Sequence, residues 1–174
     1  YREIGEDIIK NGRYAALTMA GGQGTRLGFD GPKGTFMIGL ESDKSLFEVI
    51  CDNLKIAKEK YGVYIPWYIM TSRENDERTK EFFEENNYFD YDKSLIKFFK
   101  QGELPMVDFE GKIVLEENGT IKEAADGNGG IFKALEKNGI LEDMHERGIR
   151  WIYVFGVDNV LPQIIDPEYI GATE

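Results

Sequence analysis

The chain has 174 residues, with 32 acidic against 21 basic side chains and a formal net charge of −11. This length suits one domain or a large part of one. The charge repels nucleic acid and anionic membranes as bulk partners, so any site for a phosphate group must be local.

The cysteine content and the hydropathy pattern narrow the class of protein further. Cys51 is the only cysteine, which excludes an internal disulfide and favours a reducing compartment, and its apolar neighbours predict a packed thiol. No run approaches the roughly 18 apolar residues of a membrane span, and the start lacks a signal-peptide pattern. We therefore expect a cytoplasmic protein without a membrane partner. Because the sequence starts at Tyr1, we also expect it to come from a longer protein.

The first hundred residues predict alternating strands and helices, in the order strand, helix, strand, helix, strand. These elements span residues 13–20, 45–62, 64–70, 73–89 and 94–102. In the first helix, Ser45 and Glu48 have the spacing of a capping box and Gly62 marks the stop. The acidic run at 74–85 predicts a solvated face of the second helix. The order of elements predicts an α/β protein with a doubly wound, mainly parallel sheet.

The second half of the chain changes this rhythm before returning to a strand. The pattern predicts a β-hairpin excursion at 106–124 and one or two helices at 129–148. A strongly apolar strand is predicted at 149–161. Asn118-Gly119 is typical of a two-residue hairpin turn, and Asn138-Gly139 predicts an interruption between two helical segments.

The most informative stretch is the loop after the first strand, MAGGQGTRLGFDGPKG at 19–34, in which six glycines surround Arg26 and Lys33. Without a Cβ, such a loop lets backbone N–H groups converge on an anion. Pro32 fixes the backbone just before Lys33. In so acidic a chain, two cations beside this loop favour a phosphate ligand. The alternative is a tight turn whose cations pair with surface carboxylates.

Two common phosphate-binding motifs do not fit this loop. A Walker loop needs Ser or Thr after its lysine, whereas Gly34 follows Lys33. The dinucleotide fingerprint fails because Gly28 comes one position late. No acidic residue ends the second predicted strand, where a ribose-binding carboxylate belongs.

Six motifs in chain order carry a resemblance to a known family: LTMAGGQGTRLG with PKG, IPWYIMTS, FFKQGELP, EGKIVLEE, DGNGGIFKAL and VFGVDN. They resemble the eukaryotic-type UDP-sugar pyrophosphorylases, and most closely the UDP-N-acetylglucosamine pyrophosphorylase branch. The similarity covers nearly all of residues 14–171. It implies a Rossmann-like catalytic domain, of which residues 1–174 would be the nucleotide-binding part, incomplete at the C-terminus.

The resemblance implies a uridylyltransferase that uses UTP, a sugar 1-phosphate and Mg²⁺ to form a UDP-sugar, in this branch UDP-N-acetylglucosamine, and pyrophosphate. It assigns the phosphate oxygens to Arg26 and Lys33, the sugar to Asn128 and the Mg²⁺ ion to Asp158. It assigns nucleotide contacts to Ala20, Gly21, Gly22, Gln23, Gly24, Thr25, Gln101 and Gly127.

Each implied role also has a physical basis. The amide of Gln101 offers a donor and an acceptor to a uracil edge, and Gly127 lets a base approach the main chain closely. Asp158 follows a predicted parallel strand, where open α/β sheets bind ligands, and its carboxylate suits Mg²⁺. The ordinary alternatives are strand-end and turn residues.

The sugar and the oligomeric state stay open. Ala125, Glu103 and Gly156 stand where the family commonly has a proline, an apolar residue and a bulkier residue. The resemblance implies further sugar-binding residues and a second phosphate-binding lysine beyond residue 174. The candidates are N-acetylglucosamine, glucose, galactose and N-acetylgalactosamine.

Two other functions share the α/β pattern. A nicotinamide oxidoreductase lacks its fingerprint in this chain, and a titration with NADH tests it. A binding module would hold UTP or a UDP-sugar without turnover. Titrations with UTP and ATP separate both from nonspecific anion binding, since Gln101 and Gly127 predict a preference for uridine.

Overall fold

The computed structural model describes residues 1–39 and 43–174. The helices of this part are α1 (Arg2–Lys10), α2 (Leu46–Tyr61), α3 (Asp76–Glu85), α4 (Ile131–Lys137), α5 (Ile140–Glu146) and α6 (Pro167–Thr173). The strands are β1 (Tyr14–Met19), β2 (Trp67–Thr71), β3 (Ile96–Lys100), β4 (Glu103–Pro105), β5 (Glu123–Ala125) and β6 (Trp151–Gly156). None of the helices described has the length and hydropathy needed to cross a membrane.

Four strands form one sheet in the order β3-β2-β1-β6. Each neighbouring pair runs parallel. Helices α2 and α3, which connect the first three strands, pack on one face together with α1 and α6. Helices α4 and α5 cover the other face. The predicted doubly wound, mainly parallel α/β sheet is therefore confirmed.

Strand β1 lies inside the sheet and is buried on both faces. Tyr14 and Ala16 face the core beneath α2, whereas Ala15 and Leu17 face the core beneath α4. This alternation follows from the pleat of a strand, and apolar residues on both faces are typical of a parallel sheet covered by helices. The strand therefore fixes the start of the glycine loop at the carboxyl end of the sheet's strands.

Helix α2 confirms the predicted cap, stop and packed cysteine. The Ser45 hydroxyl oxygen accepts a hydrogen bond from the N–H of Glu48 at 3.1 Å, which is one of the two bonds of the predicted capping box. Gly62 ends the helix with a φ of 75°, in the left-handed region that suits glycine. Cys51 is buried, and this burial raises the pKa of its thiol to about 12. A thiol with so high a pKa stays protonated and packs as an apolar group.

Helix α3 is shorter than the predicted helix at 73–89. It ends where the side-chain amide of Asn86 donates to the carbonyl of Phe82 at 2.8 Å. Residues 87–90 then form a turn in which every φ is positive, from 49° to 57°. The prediction was wrong here because helical periodicity does not reveal a left-handed turn of non-glycine residues.

Strand β2 begins later than the predicted segment at 64–70. The backbone N–H and carbonyl of Ile65 both bond to the hydroxyl of Tyr91, at 2.9 and 2.7 Å, and so are unavailable to a strand partner. Pro66 has no N–H to donate. The strand therefore starts at Trp67. Strands β3 and β6 likewise begin two residues after their predicted starts. They end at Lys100 and Gly156, before the predicted ends at 102 and 161.

The predicted β-hairpin excursion is present between β3 and α4. Strands β4 and β5 pair antiparallel at its base. Beyond them the chain forms two successive hairpins, closed by antiparallel bridges between Val107 and Ile113 and between Leu115 and Ile121. One predicted hairpin is thus two.

The turn at Asn118-Gly119 has three residues rather than the predicted two. The N–H of Glu116 donates to the carbonyl of Thr120 at 2.8 Å, which leaves three residues between them. Gly119 has a φ of 79°, but Asn118 does not join it in the left-handed region that a two-residue type I′ turn requires at both positions. Instead, the Asn118 side chain accepts from the N–H of Thr120 at 3.0 Å.

The helical region at 129–148 divides as predicted. Gly139, with a φ of 67°, separates α4 from α5. Helices α1 and α6 lie outside the predicted elements and pack against each other. Their approach is so close that a Cβ on Gly5 would lie 1.8 Å from the carbonyl oxygen of Pro167. This contact brings α1 and α6 together on the face of the sheet that α2 and α3 also cover.

Candidate functional site

A cleft of about 290 Å³ opens where β1, β3 and β6 end. Its lining includes six of the predicted site residues: Gly21, Gly22, Lys33, Gln101, Asn128 and Asp158. They follow β1, β3, β5 and β6 in the chain and come from segments more than a hundred residues apart. The parallel strands β1, β3 and β6 bring their following segments together because their carboxyl ends share one edge of the sheet. Asn128 comes instead from the segment after β5, which pairs with β4.

The glycine loop folds back on itself and returns Lys33 to the end of β1. The N–H of Lys33 donates to the carbonyl of Gly22 at 3.0 Å, and the N–H of Gly24 donates to Gly31 at 2.9 Å. In the cleft, Lys33 Nζ lies 3.3 Å from Asp158 Oδ2. The loop therefore places the ammonium group of Lys33, which follows β1 in the chain, beside the carboxylate of Asp158, which follows β6.

The start of the loop offers free hydrogen-bond donors. The backbone N–H groups of Gly21, Gly22 and Gln23 donate to no group within residues 1–39 and 43–174. Gly21 and Gly22 line the cleft. A run of unpaired N–H groups at the end of a buried strand is suited to bind an anion.

Gln101 lies across the start of the loop. Its backbone N–H donates to the carbonyl of Thr71 at 2.8 Å, which extends the pairing of β3 with β2 by one residue. A Cβ on Gly21 would lie 2.7 Å from the side-chain nitrogen of Gln101. Only glycine therefore allows this amide so close to the loop.

Asp158 follows β6 in a tight turn. The N–H of Asn159 donates to the carbonyl of Gly156 at 3.1 Å. A Cβ on Gly156 would lie 2.8 Å from Asp158 Oδ1, so a glycine at this position gives the carboxylate room. The Asp158 side chain is 63% exposed and can exchange its partner readily.

Arg26 does not join this cleft. It is exposed on a single 3₁₀ turn, Thr25–Leu27, in the middle of the loop. It is absent from the residues that line the cleft in the described part of the chain. Its role as a phosphate-binding residue stays a prediction.

The remaining predicted residues flank the cleft without lining it. Ala20 is buried at the end of β1, and Gln23, Gly24 and Thr25 continue the loop without lining the cleft in the described chain. Gly127 precedes Asn128 and has a φ of 76°, which favours glycine. Their contacts with a nucleotide also stay predictions.

The sequence patterns did not identify two buried polar residues at the start of α3. Asn75 is fully buried and binds the glycine loop, and its signal in the sequence is only an asparagine ahead of a helix. Asp76 is also buried, with its carboxylate 2.7 Å from Lys80 and 3.4 Å from Lys100. The prediction of a wholly solvated acidic face is therefore wrong at Asp76. Its tertiary partner, Lys100, belongs to a different element.

A second cavity, of about 550 Å³, shares Gln101 with the cleft. Its charged lining mixes both signs, with Lys100 and Lys133 beside Glu103 and Asp126. Gln101 is the only predicted site residue that lines it in the described chain. The chemistry predicted from the sequence is therefore concentrated in the smaller cleft.

Comparison with known families identifies the chain. The model of the UTP--glucose-1-phosphate uridylyltransferase family matches residues 5–173. The chain belongs to this family. The resemblance predicted from the six motifs is thus confirmed.

Individual members of the family are also similar. The chain is 44% identical to the UDP-N-acetylglucosamine pyrophosphorylase of Saccharomyces cerevisiae over 176 residues, 98% of this chain and 37% of that protein. It is 41% identical to UDP-N-acetylglucosamine diphosphorylase 1 of Arabidopsis thaliana, over 97% of this chain and 35% of that protein. The chain thus spans little more than a third of these relatives.

Solved structures of family members share the fold. The uridine diphosphate N-acetylglucosamine pyrophosphorylase of Trypanosoma brucei matches 98% of this chain and 37% of its own, with a TM-score of 0.88 and 36% identity. A UDP-glucose pyrophosphorylase of Leishmania major matches with a TM-score of 0.77 at 20% identity, a likeness of fold alone. The predicted Rossmann-like fold is confirmed.

Proposed function

We propose that this chain is the nucleotide-binding part of a uridylyltransferase that joins UTP and N-acetylglucosamine 1-phosphate into UDP-N-acetylglucosamine and releases pyrophosphate. Membership of the family and 41–44% identity to relatives with this activity in their names support the proposal. The observation that carries it is the cleft in which Lys33, Gln101, Asp158 and unpaired N–H groups meet.

The base would be selected beside the start of the glycine loop. The Gln101 amide presents a donor and an acceptor, the pair that one edge of uracil complements. Adenine presents a different pattern and a larger outline, so we expect the site to favour UTP. Gly21 and Gly22 carry no side chains that would hold the base away from the backbone.

The phosphates would extend toward Lys33. The reaction is an in-line attack by a phosphate oxygen of the sugar 1-phosphate on the α-phosphorus of UTP, with pyrophosphate as the leaving group. That oxygen is already ionised at neutral pH, so no general base is required. Lys33 and the free N–H groups would contribute by aligning the reactants and by stabilising the charge of the transition state.

The cleft fits a Mg²⁺ ion that the substrate itself helps to hold. The described residues contain no cluster of three or more His, Cys, Asp or Glu side chains able to enclose a metal. Mg²⁺ is commonly bound by one or two carboxylates, with phosphate oxygens and water completing its shell. Asp158 would supply that carboxylate. The ion would neutralise phosphate charge, and Lys33, now paired with Asp158, would turn to a phosphate oxygen.

A pyrophosphate-release assay on the whole protein tests this proposal. UTP would be combined with Mg²⁺ and, in turn, the 1-phosphates of N-acetylglucosamine, N-acetylgalactosamine, glucose and galactose. We expect the highest rate with N-acetylglucosamine 1-phosphate, and a loss of activity with a chelator that added Mg²⁺ reverses. Fastest turnover with glucose 1-phosphate would contradict the choice of sugar. UTP binding without turnover of any sugar would contradict the enzymatic function.

A further inference from the structure

The fully buried side chain of Asn75 contacts the glycine loop. Its amide nitrogen donates to the carbonyl of Ala20 at 2.9 Å and to the carbonyl of Gly22 at 3.3 Å. Its amide oxygen accepts from the N–H of Ser72 at 2.8 Å. The asparagine stands at the start of α3, yet its side chain makes no capping bond to that helix. The hydrogen bonds of its side chain go to the glycine loop and to Ser72, which follows β2.

These two bonds fix the direction of the loop's donors. In a trans peptide the N–H of one residue points opposite to the carbonyl of the residue before it, and every peptide bond described here is trans. The carbonyls of Ala20 and Gly22 point toward Asn75, so the N–H groups of Gly21 and Gln23 point away from it. These N–H groups are two of the three that are unpaired.

Asn75 supports the loop from outside the lining of the cleft. Gly21 and Gly22 line the cleft, whereas Asn75 does not. The side chain therefore anchors the loop and leaves the N–H groups of Gly21 and Gln23 free within the described residues. It shares the carbonyl of Gly22 with the N–H of Lys33, which donates at 3.0 Å. An amide is required because its nitrogen must donate to two carbonyls while its oxygen accepts from Ser72.

We infer that Asn75 is a positioning residue of the nucleotide site, which sets the loop's N–H groups for UTP without touching the nucleotide. This inference depends on the proposed function. Nothing in the local sequence identifies Asn75, because its partners belong to the loop after β1. An asparagine at the start of a helix normally caps that helix.

The test is steady-state kinetics of the whole protein with the variant Asn75→Asp. This change keeps the shape of the side chain but places a carboxylate oxygen against the two carbonyls, and the repulsion disturbs the loop. We expect the KM for UTP to rise about tenfold or more, which corresponds to the loss of one well-placed hydrogen bond. The KM for the sugar 1-phosphate should stay unchanged.

Two further variants separate positioning from stability. Asn75→Ser removes the amide donors without burying a charge, so it supplies the same measurement if Asn75→Asp does not fold. Tyr14→Phe removes a buried hydrogen bond to the carbonyl of Ile164 at the other end of β1. It should lower the melting temperature and leave the KM for UTP unchanged.

The outcomes are distinct. A higher KM for UTP in the Asn75 variants, but not in Tyr14→Phe, supports the inference. An unchanged KM in folded Asn75 variants, or an equal rise in Tyr14→Phe, would overturn it while the wild-type protein still turns over UTP. If the wild-type protein does not use UTP at all, the proposed function fails first.

Discussion

At the scale of single residues, Lys33 is the side chain on which the proposed chemistry depends most. It is the only lysine or arginine that lines the cleft in the described chain, and its charge is held 3.3 Å from Asp158. Its position comes from the folded loop, which returns to Gly22 through a backbone hydrogen bond. Arg26, which the sequence also predicts to bind phosphate, lies outside the cleft.

We predict that Lys33→Ala mainly lowers kcat, by about a hundredfold or more, because it removes charge stabilisation from the transition state. The measurement is pyrophosphate release by the whole protein at saturating substrate. Lys55→Ala is the matched control, because Lys55 lies on α2 and pairs with Asp52 at 3.6 Å, away from the cleft. Full turnover by Lys33→Ala would show that this lysine has no catalytic role.

The site residues differ in how far the sequence reveals them. Lys33, Gln101 and Asp158 belong to motifs, and all three line one cleft. Gln101 and Asp158 reach it from strand ends, whereas Lys33 reaches it through the folded glycine loop. Asn75 could not be predicted, since its importance comes from a contact with a loop fifty residues earlier. The exposure of Arg26 could not be predicted either, because a glycine-rich sequence does not determine the path of its loop.

At the scale of elements, a cluster around Asp143 ties α5 to the sheet. The Asp143 carboxylate accepts from the hydroxyl of Tyr68 on β2 at 2.7 Å, from Lys97 on β3 at 2.5 Å and from Arg147 at 2.9 Å. Burial alone raises the pKa of this carboxyl, but the hydrogen bonds from Lys97, Tyr68 and Arg147 bring it below its ordinary value. The ionised form is therefore stabilised by folding.

This lowered pKa predicts a stability that depends on pH. A carboxyl with a lower pKa in the folded state contributes stability above its unfolded pKa, about 3.9, and loses it as the pH falls toward the folded pKa. We predict that Asp143→Asn lowers the free energy of unfolding by about 1–3 kcal/mol at pH 7, as expected for broken charged hydrogen bonds. The difference from wild type should shrink steadily below about pH 4.

Urea denaturation of both proteins at several pH values measures this difference. Glu142→Gln, at an exposed neighbouring position on α5, is the control and should match wild type throughout. A deficit in Asp143→Asn that is the same at pH 3 and pH 7 would contradict the assignment to the carboxylate charge.

The elements themselves were predicted with uneven success. Helix α2 and the break at Gly139 follow from local signals, a cap and glycines with positive φ, and both are confirmed. The start of β2 depends on the hydroxyl of Tyr91, and the end of α3 on the left-handed turn after Asn86. Such boundaries are set by tertiary contacts and rare backbone conformations, which apolar periodicity does not encode.

At the scale of the whole molecule, the charge explains why the site must be compact. A net charge of −11 repels a triphosphate from most of the surface. The groups proposed to bind the triphosphate are one lysine and a run of free N–H groups where β1 ends. A divalent ion would add the charge that the protein itself does not supply.

The family places limits on what this part of the molecule can contain. The chain matches the family across 5–173 but spans little more than a third of its relatives. Within it, Asn128 is the residue predicted to contact the sugar. The choice of N-acetylglucosamine therefore rests on the relatives and on the assay with four sugar 1-phosphates.

Calorimetric titration of the whole protein with UTP and ATP, in the presence of Mg²⁺, measures whether the cleft beside β1 selects a uridine nucleotide. We predict that UTP binds about tenfold or more tightly than ATP, and that Gln101→Leu reduces this preference because the uracil edge loses its amide partner. Equal affinity for the two nucleotides would show that the cleft does not select uridine, and an undiminished preference in Gln101→Leu would show that Gln101 does not read the base.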